Sequence, residues 1–388
     1  MRRRSFLGGV AATAAASATG LGLASPSTAA QNARNAQATQ AAQATQAAQV
    51  AWKLSPAPAA APGSRLLSVS AAKADLAWAV GEQGLLADGT TGPLALRWNG
   101  SGWAHTDVAH LKLNGALRSV SGSSATAAWA VGDNKDGADR LLRWDGSTWR
   151  QTAYPGSSDP ATTLTWVATE YDGTAWASGQ HEGAPKLLRF DGRRWTWTPP
   201  IPDATTQSAP WRVCLSPSGS VYAVGWDVSR WDGTRWTRVP AIPGIRLSVA
   251  DVLPAADDDI WAVGSAFGVG GPPGKPPGVV LAHFDGTEWA YEDGDGLPFK
   301  IGALSCIAGD GEGRPGIIGG WDFWDDSSAH YYHWDGTAWT GQRGEADGAD
   351  AYVRDVTRIP GTADGAWSVG HTYNTGAQNT HFRIERYA

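Results

Sequence analysis

From residue 51 onward apolar and polar positions alternate in short runs, and no stretch carries the 3.6-residue period of an amphipathic helix. The clearest run is Leu142-Arg143-Trp144, then Asp145-Gly146, then Ser147-Thr148-Trp149. Asp-Gly between aromatic strand residues predicts a hairpin, because a two-residue type I′ turn needs φ > 0 at both central positions. Under such a turn Trp144 faces Ser147 and Leu142 faces Trp149. The two Trp are then diagonal neighbours on one face of the hairpin, with Arg143 and Thr148 on the other. The unit recurs at 97–103, 189–195, 230–236, 283–289 and 333–339, with Asn-Gly in the first copy and His for Arg in the last two.

A second unit, Trp-Ala-Val-Gly, stands at 78–81, 129–132 and 261–264, with variants at 176–179, 222–225, 316–319 and 367–370. Its terminal Gly residues are spaced 51, 47, 46, 39, 55 and 51 apart, a range that brackets the period of four-stranded blades. Short apolar runs precede each copy, with Val69, Val120, Val167, Cys214, Val252, Ile307 and Val356 in equivalent places. Each repeat therefore reads as four strands. Strand a carries the Val, strand b carries Trp-x-Val-Gly, and strands c and d flank the Asp-Gly turn. Seven such repeats predict an all-β, seven-bladed β-propeller over 51–388. The last repeat ends at Arg386-Tyr387-Ala388 without a strand d, while Ala51-Trp52-Lys53-Leu54 stands alone before the first and matches Thr148-Trp149-Arg150-Gln151. The N-terminal strand is thus expected to pair with 381–387, complete the last blade and remove the open edge.

The first 50 residues break the pattern. Arg2-Arg3-Arg4 precedes Ser5-Phe6-Leu7 and an Ala/Gly-rich apolar run, which reads as a signal peptide over 1–30. The Arg3-Arg4 pair resembles a twin-arginine export signal; an ordinary Sec signal is the alternative. Residues 31–50 repeat Ala, Gln and Thr and read as a solvated, disordered linker. The whole chain carries −6, and removal of the three N-terminal Arg deepens this. An acidic chain argues against nucleic acid and against anionic lipid as partners. Cys214 and Cys306 are too few for a disulfide framework and read as buried apolar residues, although one bridge remains open.

The repeats resemble secreted actinobacterial propellers built from WAVG…RWDGTxW units. That resemblance covers 51–388 and implies the fold far more than an activity. WD-repeat proteins share the Trp-Asp at Trp144-Asp145, Trp231-Asp232 and Trp334-Asp335, but the Gly-His element that completes their motif is missing. Sialidases carry Asp-x-Gly-x-Thr-Trp, whereas the order here is Asp-Gly-x-x-Trp. Kelch repeats end strand b in a double Gly, which only Gly319-Gly320 imitates.

Catalytic chemistry needs a nucleophile with its base, paired carboxylates or a metal cluster. His105, Asp107 and His110 share one connection, and Asp257-Asp258-Asp259 an a–b turn; both read as solvated loops before metal sites. No catalytic residues, metal site or cofactor are expected. The c–d turn is nearly uniform among repeats while the b–c connections vary, so function is expected on the face of the b–c and d–a connections. There Trp321, Asp322, Phe323, Trp324, Asp325 and Asp326 place three aromatics among three acids. His371, Tyr373 and Asn374 join them from the next blade, and Trp226 with Asp227 marks a third position. Trp faces suit the C–H face of a sugar, and carboxylates accept from its hydroxyls. The alternative is that Trp321 and Trp324 fold inward to fill a void left where Gly316 replaces the strand-b Trp. The expected function is a secreted, non-catalytic module of lectin type, recognising an extracellular glycan or cell-surface protein without membrane insertion. A protein-binding scaffold, then a glycoside hydrolase or polysaccharide lyase, are the alternatives.

Overall fold

The computed structural model describes residues 52–84, 89, 91–135, 137–170, 172–267, 278–294, 297, 299–311, 314–323, 327–376 and 379–388. The signal and linker expected over 1–50 lie outside the described residues. Seven four-stranded antiparallel sheets form the molecule. Blade one is β2 (Arg65–Lys73), β3 (Leu76–Gln83), β4 (Gly92–Trp98) and β5 (Trp103–His105). Blade two is β6 (Leu117–Ser124), β7 (Ala127–Gly132), β8 (Arg140–Trp144) and β9 (Trp149–Thr152). Blade three is β10 (Thr163–Thr169), β11 (Ala175–His181), β12 (Ala184–Phe190) and β13 (Trp195–Trp197). Blade four is β14 (Arg212–Leu215), β15 (Val221–Val224), β16 (Val228–Trp231) and β17 (Trp236–Arg238). Blade five is β18 (Ser248–Ala256), β19 (Asp259–Ala266), β20 (Gly278–Phe284) and β21 (Trp289–Asp293). Blade six is β22 (Gly302–Gly309), β23 (Pro315–Asp322), β24 (His330–Trp334) and β25 (Trp339–Arg343). Blade seven is β26 (Asp350–Arg358), β27 (Ala366–Asn374), β28 (Asn379–Tyr387) and, from the N-terminus, β1 (Trp52–Leu54).

The first strand of each blade contacts that of the next, and β26 contacts β2, so the ring is closed. In blade seven Trp52 pairs with Tyr387 and Leu54 with Glu385, as the incomplete last repeat required. Among the described residues the buried apolar side chains fall into seven clusters, and each spans two neighbouring blades. The core is therefore a set of seams. At six of the seven the strand-b aromatic of one blade packs with the strand-c and strand-d aromatics of the next, and in the seam of blades six and seven Ile317 takes its place. Trp367 sits 4.9 Å from Trp98 and 5.1 Å from Trp103. Trp129 sits 5.0 Å from Phe190 and 4.9 Å from Trp195. Full burial of such a side chain contributes about 1.5–3 kcal/mol. In blades two, three and seven the strand-c Arg covers its own blade's Trp, as Arg143 does over Trp129 at 5.4 Å. His283 takes the same place on Trp261, stacked at 4.1 Å.

The hairpin turn differs from the expected type. Trp144 pairs with Trp149 directly and Leu142 with Gln151, so four residues connect the strands. Among the turn residues only Gly146 has positive φ, at 103°. The Asp145 carboxylate accepts from the amides of Ser147 and Thr148, both at 2.9 Å, and supplies by side chain what a second left-handed residue would have supplied. Asn99, Asp191, Asp232, Asp285 and Asp335 repeat the arrangement.

Two alignments of the repeat also shift. The Gly ending Trp-Ala-Val-Gly is required by close approach: a Cβ on Gly81 would lie 1.9 Å from the Arg65 carbonyl oxygen. In blade six that place belongs to Gly320, which pairs with Leu304 as Gly81 pairs with Leu66. Ile317, not Gly316, therefore stands where the Trp was missing, and it is buried against Trp52. In blade four Val213 pairs with Ala223 as Val69 pairs with Ala79, so Val213, not Cys214, is the equivalent.

Candidate functional site

The residue just before each strand-a Val is polar or charged in most blades. Ser68, Ser119, Asp251 and Asp355 use it to reach sideways. Ser68 Oγ accepts from the Val120 amide at 3.2 Å, and Ser119 Oγ from Val167 at 3.1 Å. Asp251 accepts from Ile307 and Asp355 from Val69, both at 3.0 Å. The innermost strands are thus tied blade to blade. In blade four the same position is Arg212, whose guanidinium lies 3.9 Å from the Trp166 ring centroid. It pairs with Asp251 of the next blade and, across the axis, with Asp355 of blade seven at 3.1 Å. All three charged groups are buried. Burial pushes Asp251 up to about 6 despite Arg212, and raises Asp355 as well. Cys214 lies 3.6 Å from Asp251, and both cysteines are free. Burial raises both thiols far above their ordinary range, which makes them poor nucleophiles. This polar plug across the axis was missed in the sequence. Its signal was present: Asp-Val at 251–252 and 355–356 stands where Ser-Val stands at 68–69 and 119–120.

The face of the b–c and d–a connections carries the exposed apolar surface. Among the described residues the exposed large hydrophobics are Trp226, Phe267 and Phe323, at 52%, 81% and 42%. They follow β15, β19 and β23, at the starts of the b–c connections of blades four, five and six. Phe267 was not anticipated.

Two sites adjoin this arc. The first is a groove of about 300 Å³ between blades four and five. Trp226, Val239, Ile242, Ile245 and Leu247 line it, with Arg246 6.0 Å from the Trp226 centroid. Trp211 meets Trp226 edge-on at 6.0 Å. Asp227 is held by Arg238, which engages the carboxylate expected to receive a sugar hydroxyl.

The second lies where blades six and seven meet the channel mouth. Trp321 is half-buried in β23, 6.4 Å from Phe323 and 6.0 Å from Tyr352 of β26. Tyr352 stacks on His371 at 5.0 Å and 13°. Four rings thus run from the b–c connection of blade six into blade seven, joining the expected Trp321, Phe323 and His371 through Tyr352 of the innermost strand. Trp321 packs against Tyr352, outside the seam that Ile317, Tyr331 and Trp52 fill. His371 is buried, and burial together with repulsion from Arg354 and Arg65 drives its pKa down to about 3, so the ring is neutral. Asp322 ends β23 half-buried, Tyr373 is half-buried in β27, and Asn374 is exposed at its end. Trp324, Asp325 and Asp326 lie outside the described residues.

The His and Asp groups on other connections serve the fold. His105 and His110 bond the carbonyls of Ala59 and Trp149 at 3.0 and 2.9 Å. Asp257 accepts from Ser218 and Ser220 and pairs with Arg230, while Asp259 bonds His283.

No family model and no curated protein matches this sequence. Solved structures do. YCF48 from Cyanidioschyzon merolae superposes with a TM-score of 0.57 at 16% identity, over 87% of this chain and 98% of that one. The RRP9 WD40 repeats give 0.53 at 9% identity, over 87% and 98%. The extracellular domain of a putative hybrid two-component system from B. thetaiotaomicron gives 0.51 at 12%, over 87% of this chain and 39% of that one. The shared element is the propeller. At these identities the likeness is one of fold alone.

Proposed function

We propose that the protein is an exported, non-catalytic recognition module of lectin type, binding carbohydrate on the face of its b–c and d–a connections. The observation that carries this reading is the arc of Trp226, Phe267 and Phe323 on three successive blades. Exposed aromatic side chains gathered on one face mark contact surfaces, and their flat apolar rings suit the C–H faces of sugars. The opposite face spends its polar groups on its own turns, as Asp145 and its equivalents do. Export rests on the Arg3-Arg4 pair and the apolar run behind it, and on the resemblance to secreted propellers.

A glycan array on the chain from residue 31 tests the function. The expected result is selective glycan binding that is lost in Trp226→Ala and Phe323→Ala while both variants melt as wild type. An empty array would overturn the carbohydrate reading and favour a protein partner for the same arc. Polysaccharide turnover abolished by Asp322→Asn would overturn the non-catalytic reading. Replacing Arg3 and Arg4 with Lys is expected to stop secretion; continued secretion identifies the Sec route.

A further inference from the structure

Arg354 is the extra residue of a β-bulge in β26, where Val353 pairs with Gly370 and Asp355 with Val369. The bulge leaves it out of the ladder of this innermost strand, beside Arg65 at the start of β2 and close to Tyr352 and His371, which places it toward the b–c end of the channel. It is exposed there, and no carboxylate among the described residues pairs with it. Arg65, at the start of β2 in the adjoining blade, repels it and is itself paired with Glu82 at 3.5 Å. Two guanidiniums against one carboxylate leave a local excess of one positive charge. Enclosure by the channel wall and this repulsion lower the Arg354 pKa. A neutral His371 adds no counter-charge, and its Nδ1 is buried without a hydrogen-bond partner. Beside these groups runs the ring series of Phe323, Trp321, Tyr352 and His371.

We infer that the channel mouth is an anion subsite, with Arg354 and Arg65 receiving the acidic group of a charged sugar whose ring lies on the Trp321–Tyr352 side. The inference rests on the carbohydrate reading above and adds the class of glycan. A chain of net charge −6 repels a polyanion at most of its surface, so acidic binding has to be local. A guanidinium presents a planar fork that matches a carboxylate or sulfate with two parallel hydrogen bonds. An anion there also relieves the repulsion between the two arginines, which a neutral sugar cannot do.

Calorimetry on the chain from residue 31 with oligogalacturonate, dextran sulfate and neutral dextran of similar length tests the subsite. The expected result is at least tenfold tighter binding of one acidic probe over dextran, lost in Arg354→Ala. Preference for oligogalacturonate identifies a carboxylate as the group bound, and preference for dextran sulfate identifies a sulfate. Arg354→Lys keeps the charge without the fork and should recover only part of the affinity. Arg354 pairs with no carboxylate, so both variants should melt at or above the wild-type temperature. Acidic binding unchanged in Arg354→Ala, or equal affinity for acidic and neutral probes, overturns the subsite while the carbohydrate reading stands. No binding of any of these probes, with an empty glycan array, overturns both.

Discussion

Trp367 and Trp226 are the same side chain put to opposite uses. Trp367 is fully buried in the seam between blades seven and one, ringed by Trp98 and Trp103. Trp226 is half exposed on a b–c connection, touched by Trp211 and Arg246. The seam position recurs in six of the seven blades because the same wedge closes those joints, with Ile317 in its place in blade six. Among the described residues the rim position has no counterpart with the same surroundings. Repetition in this chain therefore marks packing, and departure from it marks the surface free to recognise something else.

The sharpest way to break that contrast is to empty a seam. Trp367→Ala or Trp52→Ala is expected to cost about 3–5 kcal/mol, the scale for deleting a buried Trp. Chemical denaturation reads it; a loss near zero would mean the seams do not hold the ring. Deleting residues 51–55 should do at least as much, since it removes Trp52 and exposes the edge of β28.

Gly370→Ala comes next. A Cβ there meets the Tyr352 carbonyl at 1.9 Å, and such overpacking costs about 1–3 kcal/mol. Because Tyr352 links Trp321 to His371, the variant should also weaken ligand binding, so one substitution reports on both regions. Binding unchanged in a destabilised Gly370→Ala protein would separate the ring series from the site.

The third effect is set by pH. Burial lifts Asp251 from an ordinary carboxyl range to about 6. Its extra stability is complete below the unfolded pKa and is lost as pH rises through about 6, on the order of 1–3 kcal/mol. The turn carboxylates run the other way. Bonds from Arg150 and the turn amides hold Asp145 well below the carboxylate range, and backbone amides do the same for Asp232. Their contribution is present above the unfolded pKa and is lost as pH falls below it. Between pH 5 and pH 7.5 the Asp251 contribution should fall with rising pH, opposed by buried His371, whose lowered pKa costs stability below the ordinary imidazole range, and stability should fall again in stronger acid. Asp251→Asn should flatten only the first of these slopes.

The smallest effect on stability belongs to the rim. Phe267→Ala and Phe323→Ala should stay within about 0.5 kcal/mol of wild type. A larger loss in either melting curve would reclassify that aromatic as packing.

The blade count, strand order and closure by Trp52 were legible because each rests on local signals repeated along the chain. Misreadings arose where one residue type can serve two geometries. Asp-Gly marks a type I′ turn and equally a longer turn whose Asp side chain does the capping, and spacing alone does not separate them. Gly319 and Gly320 both fit the end of strand b by sequence; the approach of the Ala303 carbonyl, 2.6 Å from a Cβ on Gly320, decides between them. The site was legible only in part. Trp321, Phe323 and Trp226 could be found as apolar residues on variable connections. Arg354 could not, because its exposure into the channel depends on a bulge. The axial group of Arg212, Asp251 and Asp355 joins residues far apart in sequence across the centre of the ring.

Closure by β1 also fixes when the molecule can be finished. Trp52 is among the first propeller residues made, yet its strand partner Tyr387 is among the last, so the ring cannot close until the whole propeller has been made. Until then the nascent chain holds blades with one seam open, and β1 has no strand partner. Pairing so distant in sequence is slow to form. Every interrupted translation product of this chain would consequently carry the same unsatisfied strand edge, a single recognisable mark of incompleteness for chaperones and proteases to act on.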